Sequence, residues 1–187
     1  NIDLISMSAH KIFGLKGIGL LVKKGKIMLE PLIHGGKSTT IYRSGTPALP
    51  LIVSLAKALR LITENIDNNY DKVTKLNNHL KDKLKEIKGI YINSNEYCSP
   101  YVLNISATGV KPETMVHALE NHDIYISTQT ACASTDTLSK AVLELTNSEE
   151  RASSSIRISL AYMTTEQEIE TFLTIFKENY EKLSNLR

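Results

Sequence analysis

The chain has 187 residues, which suits one domain or one domain with part of a second, and its hydrophobic fraction of 42% is enough for a core. Its 22 basic and 20 acidic residues give a formal charge of +2, so the composition excludes a strongly charged surface for nucleic acid or membrane. Two cysteines, Cys98 and Cys132, and the lack of an apolar run of spanning length predict a protein of the reducing cytoplasm.

The first third of the chain predicts the end of an α/β domain. Runs rich in strand formers lie at Leu4 to Ser6 and at Ile18 to Val22. Between them stand the motif Ser8-Ala9-His10-Lys11 and a glycine-spaced run from Gly14 to Gly19. Lys11 is therefore predicted at the end of a strand.

Helical spacing follows from Pro50, and the polar cluster at residues 65–69 interrupts it. We interpret that cluster as a hinge and predict two domains, residues 1–66 and residues 67–187. In the second domain we expect four short strands and a helix between the second and third, at Tyr91 to Asn93, Tyr101 to Ile105, Pro112 to Glu120, Ile124 to Ile126 and Ser155 to Leu160.

The final segment predicts a helix that begins with a capping box at Thr165-Glu166-Gln167-Glu168. Apolar residues then recur on one helical face, which we interpret as core: Ile169, Phe172, Leu173, Phe176, Tyr180 and Leu183.

The motif around Lys11 has the residue types of a site for an aldehyde cofactor. A lysine amine that loses its proton bonds covalently to an aldehyde, and the Ser8 hydroxyl and the His10 imidazole are donors for a phosphate. A solvated lysine beside a turn is the structural alternative.

Cys132 and Arg157 are the other residues whose surroundings point to chemistry. Cys132 lies in a stretch with almost no large apolar side chain to bury it, which is typical of an accessible, reactive thiol, and a small buried hydrophobe is the structural alternative. Strand alternation places Arg157 on one face with Ser155 and Ser159, where the guanidinium can clamp a carboxylate or form an ordinary salt bridge. Cys98 is interpreted as structural or incidental.

The order of these motifs, with His34-Gly35-Gly36 and Arg43-Ser44-Gly45-Thr46 between them, resembles the C-terminal half of the cysteine desulfurases. These are pyridoxal-phosphate enzymes of the class V aminotransferase family, and the NifS/IscS-like branch is the nearest match. The resemblance implies an α/β fold. Residues 1–66 would be the C-terminal part of the large domain of a fold type I enzyme with the start of a linking helix, and residues 67–187 the small C-terminal domain.

The resemblance also implies a role for each motif residue. Lys11 would be the Schiff-base lysine, and Ser8 and His10 would bind the cofactor phosphate. Thr46 would bind the phosphate of the other subunit, which implies a homodimer. Arg157 would hold the carboxylate of L-cysteine, and Cys132 would be the nucleophile that takes the sulfur.

The activity implied is removal of sulfur from L-cysteine, giving L-alanine and a persulfide on Cys132. The persulfide would pass to an acceptor protein, either a scaffold for iron–sulfur assembly or a tRNA-thiolation enzyme, and we predict no metal site. Because the chain opens without Met and the family's remaining cofactor groups lie upstream of Asn1, we expect a fragment that is inactive alone. The alternatives are a selenocysteine lyase, another class V aminotransferase, or a dimerisation or partner-binding module without activity.

Overall fold

The computed structural model of the chain describes residues 2–36, 40–128 and 138–185. It divides into two compact units, of which the first ends at Ile66 and the second begins at Asp67. The division falls within the polar cluster at residues 65–69, where one long helix has ended and the next begins.

The first unit contains a two-stranded antiparallel sheet and a helix. Strand β1 (Leu4–Ser8) pairs with strand β2 (Gly19–Lys23), and a 3₁₀ turn at Ala9–Lys11 follows β1 directly. Helix α1 (Leu49–Thr63) carries Pro50 in its first turn, where the missing N–H of proline costs no hydrogen bond. Both predicted strands and the predicted helix start are therefore confirmed.

The second unit contains a three-stranded antiparallel sheet whose apolar face packs against helices. The sheet has the order β3 (Ile90–Ile92), β4 (Val102–Ala107), β5 (Ser155–Ser159). Its helices are α2 (Ile66–Lys85), α3 (Pro112–Glu120), α4 (Lys140–Thr146), α5 (Glu149–Ser153) and α6 (Glu166–Ser184).

Alternation along β4 and β5 separates an apolar sheet face from a polar one. Ile156 and Ile158 lie in the core formed with α2, α3 and α6, whereas Ser155 and Arg157 lie on the opposite face. Helix α5 lies on the polar face, where the Ser106 hydroxyl of β4 donates to the Arg151 carbonyl at 2.8 Å. The alternation along β5 therefore places Arg157 on the sheet face away from the core.

Helix α6 confirms the predicted capping box and the predicted core face. The Thr165 hydroxyl accepts the Glu168 N–H, while the Glu168 carboxylate accepts the Thr165 N–H at 2.7 Å. The Thr165 hydroxyl also donates to the Glu168 carboxylate at 2.9 Å, and the backbone and hydroxyl bonds that this carboxylate accepts lower the pKa of Glu168. Phe172, Phe176 and Tyr180 are buried and stack in sequence, with ring centroids 5.3 and 6.2 Å apart.

The predicted strand at Ile124 to Ile126 is wrong. Asp123 has a left-handed backbone (φ 58°), and the Ile124 N–H caps α3 by donating to the Leu119 carbonyl at 3.2 Å. That N–H is consequently not available to a strand ladder, and the first pairing with β5 occurs at Ser127, as an isolated bridge to Arg157.

Candidate active site

The predicted lysine motif folds into a tight turn that is anchored at Ala9. Ala9 is fully buried and donates its N–H to the Ile18 carbonyl at 3.1 Å. The Ala9 carbonyl accepts two N–H groups, from Ile12 at 3.0 Å and from Gly14 at 2.8 Å. Lys11 projects from the middle of this turn and is exposed to solvent.

Two glycines allow the chain to approach itself closely around this turn. A Cβ at Gly14 would lie 3.0 Å from the Ala9 Cβ and 3.1 Å from the Ala9 carbonyl oxygen. A Cβ at Gly19 would lie 2.7 Å from the Met7 carbonyl oxygen, closer than real Cβ contacts allow. The glycine-spaced run is therefore required for the geometry that places Lys11 at the end of β1.

The donors next to Lys11 are available to a ligand. Ser8 is half-buried and His10 is exposed, and in residues 2–36 the side chains of Ser8, His10 and Lys11 take part in no hydrogen bond or ion pair. A hydroxyl, an imidazole and an amine on one turn are the chemical groups that a phosphate-bearing aldehyde requires. The residues present therefore fit pyridoxal phosphate.

Thr46 lies in the first unit, in the exposed segment between Gly45 and α1. Gly45 adopts a positive φ of 126°, which a side chain would strain, so the direction of the chain before Thr46 depends on that glycine. The structure does not bring the Thr46 side chain into a hydrogen bond with Ser8, His10 or Lys11 among the residues it describes.

Arg157 occupies the middle of β5 between two polar neighbours. Asn104 of β4 is its partner in the sheet register, and Ser127 is bridged to it from the other side. The Arg157 Nη2 donates to the Ser127 Oγ at 3.3 Å, while its buried Nε has no hydrogen-bond partner in the described residues. No carboxylate among the described residues lies within ion-pair distance of Arg157.

The sequence predicted the serines beside Arg157 but not Asn104 or Ser127. Ser155 is buried and Ser159 is exposed, and both share the face of Arg157 as strand alternation requires. The available indication for Asn104 was its place as a polar residue between the apolar Leu103 and Ile105. Cross-strand partners depend on register, which one sequence does not provide.

Several other polar side chains on this side of the sheet form a connected network. Asn93 donates to Asn104 Oδ1 at 2.7 Å and to Ser106 Oγ at 2.8 Å, and it accepts from Arg151 Nη2 at 2.6 Å. Asn104 Nδ2 lies 3.0 Å from Ser155 Oγ. This network ties β3, β4, β5 and α5 together beside Arg157.

Only one of the two cysteines lies among the described residues. Cys132, the predicted nucleophile, lies outside the described residues. Cys98 is exposed in a turn where its thiol lies 3.4 Å from Asn95 Oδ1.

The described residues contain neither a membrane-spanning helix nor a metal-binding cluster. No helix in residues 2–36, 40–128 and 138–185 is both long enough and apolar enough to cross a bilayer. The same residues contain no cluster of three histidine, cysteine, aspartate or glutamate side chains arranged to bind a metal ion.

Comparison with known proteins gives the family. The family model described as Aminotransferase class-V matches residues 1–172. Over 189 residues the chain is 40% identical to the protein named cysteine desulfurase IscS of Mannheimia succiniciproducens, covering 99% of this chain and 46% of that protein. It is 38% identical to the IscS of Vibrio cholerae, with 97% and 46% covered.

A solved structure agrees with these relatives. The NifS-like protein of Rickettsia africae superposes with a TM-score of 0.82 at 32% identity, covering 96% of this chain and 48% of that chain. The chain thus spans about half the length of the curated relatives it matches. The predicted fold class and the resemblance to NifS/IscS-like proteins are confirmed, and the chain belongs to the class V aminotransferase family, whose enzymes depend on pyridoxal phosphate.

Proposed function

We propose that this chain acts in a pyridoxal-phosphate-dependent cysteine desulfurase, which removes sulfur from L-cysteine and releases L-alanine. The observation that carries the proposal is the buried anchor at Ala9, which holds Lys11 on the same turn as Ser8 and His10. Its relatives of 38–40% identity bear the name cysteine desulfurase, which favours this reaction over others of the family.

The cofactor would be held by residues of the first unit. Lys11 Nζ would bind the aldehyde carbon, and the Ser8 hydroxyl and the protonated His10 imidazole would donate to the phosphate. Thr46 would donate to the phosphate held by a second copy of the chain, which makes the active enzyme a homodimer. We further propose that residues 1–66 belong to the large domain and residues 67–187 form the small domain.

The substrate would be oriented by Arg157. Its available N–H donors match the two oxygens of the L-cysteine carboxylate, so the amino acid binds with its carboxylate at the polar face of β5. When bound, pyridoxal phosphate stabilises the negative charge that develops at the substrate Cα. Lys11 Nζ, once displaced by the substrate amine, accepts the Cα proton and later returns a proton to the carbon skeleton.

Sulfur transfer would be performed by Cys132. Its thiolate attacks the substrate sulfur, so an S–S bond forms while the Cβ–S bond breaks and its electron pair stays with carbon. The carbon skeleton takes up protons and leaves as L-alanine, and the sulfur remains on Cys132 as a persulfide. The persulfide then passes to an acceptor, which we propose is an iron–sulfur scaffold or a tRNA-thiolation enzyme of the cytoplasm.

The proposal is tested on the protein as its gene encodes it, supplied with pyridoxal phosphate. Lys11→Ala should abolish alanine formation from L-cysteine, whereas Lys16→Ala, an exposed lysine near the same turn, should retain it. Cys132→Ser should abolish sulfur transfer to an acceptor. Turnover of L-selenocysteine alone indicates a selenocysteine lyase, and no turnover by the wild type with either substrate contradicts the proposal.

A further inference from the structure

Ser127 contacts the guanidinium of Arg157 from the segment beside β5. We infer that Ser127 is a positioning residue for Arg157, whose hydroxyl sets the orientation in which the guanidinium meets the substrate carboxylate. The inference rests on the proposed function, because it takes Arg157 as the group that binds the carboxylate.

The backbone fixes the position of Ser127 independently of its side chain. The Arg157 N–H donates to the Ser127 carbonyl at 2.6 Å, and the Ser127 N–H donates to the Arg157 carbonyl at 3.1 Å. Residues paired in this way carry their side chains on the same face of the sheet. Replacing Ser127 with alanine therefore removes the hydroxyl and leaves the bridge in place.

The Ser127 hydroxyl accepts a hydrogen bond from one nitrogen of the Arg157 guanidinium. Arg157 Nη2 donates to Ser127 Oγ at 3.3 Å, and the buried Nε stays without a partner in the described residues. Arginine presents its N–H groups in a rigid planar fork, so one bonded nitrogen restricts the orientation of the whole group. A guanidinium held in this way is prepared for two parallel bonds to a carboxylate.

The polar neighbour on the other side of Arg157 is already engaged. Asn104 accepts from Asn93 through Oδ1, and its Nδ2 lies within hydrogen-bond distance of Ser155 Oγ. Among the described residues, Ser127 is consequently the one side chain that accepts a hydrogen bond from Arg157. Ser159 lies on the same face of β5 but is exposed and makes no side-chain hydrogen bond there, which makes it a matched control.

The absence of charge on the Ser127 side chain is as important for substrate binding as its hydrogen-bond acceptor. A hydroxyl accepts a hydrogen bond without neutralising the guanidinium, whereas a carboxylate at this position would pair with Arg157 and compete with the substrate. Aspartate at position 127 should therefore reduce substrate binding more than alanine does, although it also accepts a hydrogen bond.

The test measures steady-state kinetics with L-cysteine on the full encoded protein loaded with pyridoxal phosphate. Ser127→Ala should raise KM roughly tenfold while kcat changes by less than about twofold, because a bond to a charged group that orients substrate binding is lost. Ser127→Thr should restore KM, and Ser159→Ala should leave it unchanged. Ser127→Asp should raise KM on the order of a hundredfold.

A binding measurement separates this inference from the proposed function. Calorimetry should show that Ser127→Ala weakens L-alanine binding roughly tenfold and leaves ethylamine, which lacks the carboxylate, unaffected. If Ser127→Ala binds L-alanine as the wild type does while Arg157→Ala does not, the role of Ser127 is wrong and that of Arg157 stands. If Arg157→Ala also binds L-alanine normally, both are wrong.

Discussion

Replacing Gly19 with alanine tests whether the close approach of β1 and β2 sets the position of Lys11. The added Cβ would lie 2.7 Å from the Met7 carbonyl oxygen, whereas a relaxed carbon–oxygen contact between strands is about 3.3–3.6 Å. The strands must therefore separate by roughly 0.6 Å or more next to Ser8, which pairs with Gly19. Overpacking of this kind costs about 1–3 kcal/mol of stability.

The same displacement should reach the Lys11 turn, since β1 leads into it without a linker. A shift of this size should lower kcat for alanine formation roughly tenfold, because a reacting group misplaced by about 1 Å costs on the order of a hundredfold. Gly25→Ala is the matched control, because no atom lies within 4 Å of a Cβ there. The reasoning is refuted if Gly19→Ala, measured by alanine production and urea unfolding, behaves like Gly25→Ala.

Three further predictions concern the second unit. Gly89→Ala should lower the free energy of unfolding, measured in urea, by on the order of 2–3 kcal/mol, since φ is +90° and the Cβ would overlap the Tyr180 hydroxyl. Gly109→Ala is the control, and it should lower the free energy of unfolding by less, because φ is +85° there but the added Cβ meets open space. The pKa of Glu168 is lowered from 4.5, so its contribution to stability is complete above that pH and lost as pH falls through the folded value. Wild type should accordingly exceed Glu168→Gln in stability at pH 7 and lose that advantage in acid; an advantage unchanged at low pH contradicts this. Arg157→Lys should raise KM for L-cysteine at least tenfold, because a lysine cannot form the paired bonds, and a normal KM contradicts the carboxylate role.

The sequence was most informative where local rules are strong. The capping box at Thr165 and the helix at Pro112–Glu120 each follow from contacts within one turn, and both have the predicted bounds. The alternation around Arg157 was likewise readable, because the period of a strand decides which residues share a face. These features depend on neighbours in sequence.

Short helices, a helix end and a cross-strand pairing were missed. Helices α4 and α5 have seven and five residues, too short for a periodic signal, and the serines that cap them, Ser139 and Ser148, were the available indication. The segment at Ile124 to Ile126 has the composition of a strand, but its first N–H caps α3 instead. The pairing of Ser127 with Arg157 is likewise set by register rather than by local sequence.

We propose that the turn anchored by Ala9 presents Lys11 to the aldehyde of pyridoxal phosphate. Borohydride reduction of the cofactor-loaded protein, followed by peptide mass spectrometry, tests it directly. We predict that the reduced cofactor is found on Lys11 and on no other lysine. Cofactor attached to Lys16 or Lys23 instead, or a protein that binds it without any covalent bond to Lys11, would contradict the account.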